Sequence, residues 1–208
     1  MLNFLSKFAV ITFIISGAYF YYRLAKSGNV HNKSFKEYYD REKMASETIK
    51  KDLPELNYIK ANANAFNVMS PSEASTPEQT RAYSKQKQIL EIIDLPKIIL
   101  KEETTTEIKV KYGANNLDKL TQYEQNYYTF IHQLHNFAEM LVKADKKEAA
   151  IKVLEESIIL KSEFSKSYTL LASLYKEFNH FDALNGLHDY VQNVLKNESL
   201  LKVLMRNA

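Results

Sequence analysis

Residues 134–150, LHNFAEMLVKADKKEAA, and residues 168–184, YTLLASLYKEFNHFDAL, are two copies of one pattern that begin 34 positions apart. They share few identical letters, but their large apolar residues and their small residues fall at matching positions. In each copy the apolar residues recur at helical spacing along one face, and a short polar turn follows them. The pattern therefore predicts two successive helix–turn–helix units.

This pattern resembles the tetratricopeptide repeat (TPR), a helix–turn–helix unit of 34 residues. The two units are 131–164 and 165–198. The matching positions are Leu134, Phe137, Ala138, Leu141, Ala150, Leu154 and Ser157 in the first unit, and Tyr168, Leu171, Ala172, Tyr175, Leu184, His188 and Val191 in the second. The second unit departs from the family at Leu184 and Val191, where smaller residues are usual. An ordinary helical bundle whose helix pairs share a period is the alternative.

The TPR resemblance implies a C-terminal array of α-hairpins over 116–208 and a binding groove along the first helix of each unit. The groove residues it implies are His132, His135, Glu139, Lys143, Lys166, Thr169, Ser173 and Lys176. His135 and Glu139 stand where the family's carboxylate clamp has Lys and Asn, so a C-terminal carboxylate is not the expected ligand. The resemblance instead implies a protein or peptide partner. A solvated helix face is the alternative.

One cluster on this face has the spacing of a metal site. His132, His135 and Glu139 are three and four positions apart, which places them on one side of a helix. No fourth ligand is evident in the sequence, so a solvated face is favoured. We expect no metal and no cofactor.

Composition narrows the function classes. The chain of 208 residues has no cysteine, which excludes disulfides, thiolate nucleophiles and Cys-based zinc sites. Its net charge of +3 is too small to indicate a nucleic-acid-binding protein. Gly-rich phosphate loops and the common hydrolase motifs are absent from the sequence. We therefore expect a protein that is not an enzyme.

The N-terminal residues 4–22, FLSKFAVITFIISGAYFYY, are strongly apolar and predict a single-pass transmembrane helix of roughly 28 Å. Cleavage of residues 1–18 as a signal peptide is the main alternative. Arg23 and Lys26 follow the apolar run, so the positive-inside rule favours a cytoplasmic C-terminal domain. Ordinary signal anchors have the opposite orientation. The expected location is the bacterial cell membrane.

Residues 23–115 predict a mixed region. A polar linker at 27–32 precedes a juxtamembrane helix over 34–52, and a second helix over 77–93 follows an irregular segment. After this second helix, the apolar run at 98–100 and the alternation of Ile108, Val110 and Tyr112 predict a small β-hairpin. The predicted fold class is thus mainly α, with a transmembrane helix, a hairpin and a TPR-like array.

The functional prediction follows from the anchor and the groove together. We expect a membrane-anchored scaffold or adaptor for protein–protein interaction, in which the anchor raises the effective concentration of a membrane-bound partner. The alternative is a structural subunit of a membrane or envelope complex that has no separate ligand groove.

Overall fold

A computed structural model describes residues 2–48, 53, 56–100 and 103–207 of the chain. The chain forms two compact units, one of residues 1–53 with 102–117 and one of residues 54–101 with 118–208. The α-helices are α1 (Leu2–Glu47), α2 (Ala63–Phe66), α3 (Pro77–Ile92), α4 (Thr105–Tyr112), α5 (Leu117–Lys143), α6 (Lys147–Ile159), α7 (Ser165–Glu177), α8 (Phe181–Tyr190) and α9 (Glu198–Asn207).

The first unit contains α1, which corrects two predictions about the N-terminal region. α1 continues as one helix through residues 27–32, where the sequence predicts a linker. The transmembrane helix predicted at 4–22 is wrong, because no helix in the described ranges is long and apolar enough to cross a membrane. Lys7 lies within the run at 4–22, the run ends in tyrosines, and Arg23 and Lys26 follow it directly, so its mean apolarity is low.

The predicted β-hairpin is also wrong, because no residue that the structure describes lies in a strand. Its second strand is instead the helix α4. The Thr104 hydroxyl accepts a hydrogen bond from the Glu107 N–H at 3.3 Å, and the Glu107 carboxylate accepts one from the Thr104 N–H at 2.7 Å. This capping box satisfies free donors in the first turn and favours a helix over the strand that the alternating residues suggest.

Contacts with α1 stabilise α4 within the same unit. The carboxylate of Glu42 on α1 accepts a hydrogen bond from the Thr106 hydroxyl at 2.7 Å and forms an ion pair with Lys109. Ala45 on α1 and Ile108 on α4 are buried. Ile108 therefore lies on the inner face of α4.

The second unit contains two α-hairpins, α5–α6 and α7–α8. The last residues of their first helices, Lys143 and Glu177, are 34 residues apart, and so are the first residues of their second helices, Lys147 and Phe181. Each hairpin turns at a residue with left-handed backbone, Asp145 with φ 57° and Asn179 with φ 58°. The next N–H in each turn bonds back into the preceding helix, from Lys146 to the Leu141 carbonyl at 2.8 Å and from His180 to the Tyr175 carbonyl at 2.7 Å. The two predicted helix–turn–helix units are therefore built with the same local hydrogen bonds.

The spacing between residues with left-handed backbone lengthens from 34 to 35 at the end of the second hairpin. Lys161, with φ 65°, follows α6, and Lys196, with φ 51°, lies 35 residues further on. Between α8 and Lys196 the chain forms a π-helical turn, Val191–Leu195. A π-helical turn contains one residue more than an α-helical turn, which accounts for the longer spacing. π-helical turns are frequent at functional sites.

One hydrophobic core connects the helices of the second unit, and the long helix α5 supplies many of its residues. Those residues are Tyr127, Phe130, Ile131, Leu134, Phe137, Ala138 and Leu141. The small residues Ala138 and Ala172 are fully buried at equivalent positions of the two hairpins. A larger side chain at either position would displace close neighbours.

We expect the substitution Ala172→Leu to lower the free energy of unfolding by about 1 to 3 kcal/mol, because the close-packed core has no room for three additional carbon atoms. Urea unfolding followed by circular dichroism measures this change. Ala183→Leu on the exposed side of α8 is the matched control and is expected to stay within about 0.5 kcal/mol of the parent. Equal effects of the two substitutions would contradict the assignment of Ala172 as a close-contact position.

Candidate functional site

The helices α5 and α7 meet at His135, one of the eight residues predicted to line a binding groove. Only 4% of His135 is exposed, and its Nδ1 lies 3.3 Å from the Ser167 hydroxyl oxygen on α7. The Phe164 ring packs edge-on against the imidazole, with the two ring centres 5.0 Å apart. His135 is therefore a packing residue between α5 and α7, and it does not present its ring to a partner.

Burial lowers the pKa of the His135 imidazole. The Glu139 carboxylate, 3.5 Å from its Nε2, acts in the opposite direction, whereas Lys166 and His132 lower the pKa further. The folded protein therefore favours neutral His135.

We expect folding stability to fall as the pH decreases below about 6.5, because the unfolded chain then binds a proton that folded His135 resists. The lowered pKa means that this component of stability is present above pH 6.5 and is lost towards lower pH. Urea unfolding of the parent and of His135→Gln at a series of pH values isolates it. His180→Gln, at an exposed histidine, is the control and should keep the pH dependence of the parent. An unchanged pH dependence in His135→Gln would contradict the expectation.

The other predicted groove residues are more accessible than His135. Those classed as exposed are His132, Glu139, Lys143, Lys166 and Ser173, and the half-buried ones are Thr169 and Lys176. The hydroxyls of Thr169 and Ser173 donate to carbonyls of their own helix, at 3.1 Å to Ser165 and 2.7 Å to Leu170. The structure thus brings His132, His135 and Glu139 together on α5, and leaves a polar row on α7 beside them.

The predicted metal alternative at His132, His135 and Glu139 gains no support from the geometry. Within the described residues, no group of three His, Cys, Asp or Glu side chains is arranged to hold a metal ion. His132 faces the Phe164 ring at a centroid distance of 4.3 Å, and the Nδ1 atom of His135 faces Ser167. Both imidazoles therefore contribute to packing.

A cavity of about 720 Å³ lies beside α5, where the connection between α6 and α7 meets the end of α8 and the π-helical turn. Its aromatic lining consists of Tyr127, Tyr128, His132, Phe164 and Tyr190. The aliphatic lining includes Ile131 and Val194. Val194 is 64% exposed and Tyr128 is 51% exposed, so large apolar groups at the cavity are accessible from solvent.

The aromatic lining has a defined geometry. The Tyr127 and Tyr128 ring centres are 5.3 Å apart at an interplanar angle of 63°. The Tyr127 hydroxyl donates to the carbonyl oxygens of Leu160 at 3.2 Å and Lys161 at 2.9 Å. These bonds fix the end of α6 against the cavity wall.

Charged groups at the edge of this cavity have opposite signs, since Lys161 and Glu163 both line it. Burial raises the pKa of the Tyr127 phenol, and the neighbouring Tyr128 and Glu163 raise it further. Burial also raises the pKa of the Tyr168 phenol, and Glu163 raises it further. The surroundings of these hydroxyls therefore disfavour an additional negative charge.

A second cavity, of about 780 Å³, lies between α2 and α6 and has a different character. Its lining is dominated by charges of both signs, including Lys147, Glu148, Lys152 and Glu155. Mixed charges along one helix are typical of a solvated face. The aromatic cavity is the better candidate for a ligand site, because its polar groups are few and lie beside a large apolar surface.

Of the eight predicted groove residues, His132 lines the aromatic cavity. Sequence reasoning missed Tyr127, Tyr128, Phe164 and Tyr190. The first two precede the first repeat unit, and Phe164 and Tyr190 occupy positions that the repeat pattern does not specify, so the pattern gave them no role. An available signal was the adjacent pair of tyrosines four and five residues before His132 on α5.

Comparisons with known proteins were made against protein-family models, curated proteins and solved structures. None of the three gives a match to this chain.

Proposed function

We propose that this chain is a protein-interaction scaffold or adaptor that binds a protein or peptide on the face formed by α5 and α7, without a catalytic step. The observation that carries this proposal is the 34-residue spacing of the two hairpin turns, which holds for the helix ends beside each turn and for the left-handed residues Asp145 and Asn179 within them. It is the period of the TPR, whose first helices hold peptides or partner helices in that family. The resemblance supports a binding role for the equivalent helices here.

The exposed side chains on this face define the surface that a partner would meet. Glu139 and Lys143 lie on α5, and Lys166 and Ser173 lie on α7. Both charge signs and a hydroxyl are present, which suits a polar partner surface or a peptide with charges of both signs. Because His135 is buried, a partner would not contact it; it packs between α5 and α7 instead.

Site-specific photocrosslinking in the native cells tests the proposal. Probes at Glu139 and Ser173 are expected to capture the same partner, and Lys166→Glu is expected to reduce both adducts. Probes at Lys152 on α6 and Asn185 on α8, which are also exposed, serve as controls. Capture of that partner from the control positions, with none from Glu139 or Ser173, would show that the α5–α7 face is not the binding surface.

The alternative function, an obligate structural subunit, is favoured by the surface of α1. Phe13 is 80% exposed, and Phe20 and Tyr21 are also exposed on this helix. Large exposed apolar patches commonly mark surfaces that another molecule covers. A stoichiometric partner that is lost on Phe13→Ser with Phe20→Ser, but retained on Lys166→Glu, would favour this alternative. The predicted location at the bacterial cell membrane stays a prediction.

A further inference from the structure

We propose that the aromatic cavity beside α5 binds a small organic cation that carries a methylated ammonium group, such as a choline-like compound. This site goes beyond the proposed protein-binding face, with which it shares His132. Three features of the cavity carry the inference: its aromatic walls, the helix ends that converge on it, and the carboxylate at its edge.

The aromatic walls provide surfaces that attract a cation. Tyr127 and Tyr128 contribute adjacent rings from α5, Phe164 contributes a ring from the connection before α7, and Tyr190 contributes one from the end of α8. The face of an aromatic ring carries partial negative charge, so a cation placed over it is attracted. Several rings around one cavity are the usual arrangement for a methylated ammonium, whose methyl groups also need an apolar environment.

Three helix ends lie at this cavity: the C-terminal ends of α6 and of the π-helical turn add negative potential, and the N-terminal end of α7, whose N-cap is the lining residue Phe164, opposes them. α6 ends beside the cavity, where the Leu160 and Lys161 carbonyls accept the Tyr127 hydroxyl. The π-helical turn that follows α8 also ends there and contributes Val194 and Leu195 to the wall. The C-terminal end of a helix has the negative end of the helix dipole, which favours a cation within the last turn.

The charged side chains at the cavity have opposite effects on a bound cation. Glu163 attracts it, whereas the ammonium of Lys161 repels it. The raised pKa of Tyr127, to which Glu163 contributes after burial and Tyr128, indicates that the carboxylate acts on the aromatic lining. Substitution of each charged residue therefore tests the sign of the ligand.

The cavity size suits a small ligand. Its volume of about 720 Å³ lies within the roughly 300–1,000 Å³ range of small-molecule sites. Asn57 and His132 at the lining offer hydrogen-bonding groups to a polar end of the ligand, such as the hydroxyl of choline.

The test is titration of the full chain with choline and, separately, with 3,3-dimethylbutan-1-ol, which has nearly the same shape but no charge. Protein amide chemical shifts measured by NMR report the binding and its place. We expect choline to shift resonances of the cavity lining with a saturable curve, and the uncharged alcohol to bind more weakly. Equal binding of the two compounds, or no saturable binding of choline, would overturn the proposal.

Variants separate a cation site from a merely apolar cavity. Tyr128→Leu and Glu163→Gln are each expected to weaken choline binding by about 2- to 30-fold, whereas Lys161→Gln should strengthen it. Tyr83→Leu and Glu91→Gln on α3 are matched controls outside the cavity and should leave the affinity unchanged. Loss of affinity in Lys161→Gln together with no change in Glu163→Gln would exclude a cationic ligand.

Folding of these variants is checked by their far-ultraviolet circular dichroism and by their thermal unfolding. Tyr128, Glu163 and Lys161 are exposed, so the substitutions are expected to leave the core intact. The comparison of choline with its uncharged analogue uses the parent chain alone and decides the proposal even if one variant fails to fold. Failure of the crosslinking experiment at Glu139 and Ser173 would leave this test unaffected.

Discussion

Replacing Gln86 by Leu is expected to lower the free energy of unfolding of the second unit by about 2 to 4 kcal/mol. Gln86 is buried on α3, and its side-chain carbonyl accepts the N–H groups of Val68 at 3.0 Å and Met69 at 2.9 Å. Its amide nitrogen donates to the Asn67 side chain at 3.0 Å and to the Met69 carbonyl at 2.8 Å. Leucine has similar bulk but would leave these backbone groups without partners away from water.

Urea unfolding of Gln86→Leu and of Gln88→Leu measures this contribution under matched conditions. Gln88 lies on the same helix but is exposed, so its substitution is expected to change the stability by about 0.5 kcal/mol or less. Amide hydrogen exchange should also become faster at Val68 and Met69 in Gln86→Leu. If the two substitutions destabilise the protein equally, the irregular segment before α3 does not depend on Gln86.

Replacing Phe130 by Ala is expected to lower the free energy of unfolding by about 3 to 5 kcal/mol. Phe130 on α5 is 1% exposed, and the Phe66 ring of α2 packs edge-on against it with ring centres 5.8 Å apart. The ammonium of buried Lys97 lies 4.7 Å from the centre of the same ring. The substitution would therefore open a cavity in the core and remove an aromatic face from a buried cation.

Thermal and urea unfolding of Phe130→Ala measure this loss, and Tyr128→Ala on the same helix is the control. Tyr128 is half exposed, so we expect its substitution to cost about 1 kcal/mol or less. A small cost for Phe130→Ala would mean that the segment of residues 56–100 packs only loosely on α5. A large loss of stability in Tyr128→Ala would show that Tyr128 also supports the fold, and a less disruptive substitution would then be needed for the ligand-binding test.

The sequence predicted the helices of the second unit closely. The helix predicted over 77–93 is confirmed as α3, and the two predicted helix–turn–helix units are confirmed as α5–α6 and α7–α8. Thr76 caps α3, since its hydroxyl accepts a hydrogen bond from the Gln79 N–H at 3.2 Å. These features depend on residues a few positions apart, so the local pattern contains the information needed to predict them.

The β-hairpin failed as a prediction because two local signals disagreed. Alternation of Ile108, Val110 and Tyr112 suggested a strand, whereas the Thr104–Glu107 pair is the signature of a helix start. Contacts of Glu42 with Thr106 and Lys109 then stabilise the helix from a distance of more than sixty residues. No pattern within the segment itself shows that α1 supplies this carboxylate.

Buried polar residues were equally inaccessible to pattern analysis. Lys97 is fully buried, and its ammonium donates to the Leu95 carbonyl at 2.7 Å and to the Ile93 carbonyl at the end of α3. Burial lowers the pKa of this lysine, and Asp94 partly opposes the effect. The sequence pattern predicts a surface position for a lysine that follows a proline, whereas its contacts with the Phe130 ring and with these carbonyls make it part of the core.

The candidate sites likewise combine features that the local sequence predicts with features that only contacts between distant residues create. A period of 34 residues, visible in the letters, predicts two α-hairpins, because helix periodicity and turn chemistry act over short distances. His135 became a packing residue because Ser167 and Phe164, some thirty residues away, cover its ring. The aromatic cavity likewise exists only where α5, the end of α6 and the π-helical turn meet. Local sequence rules therefore determine which segments are helices, and contacts between distant segments determine which side chains remain available to bind.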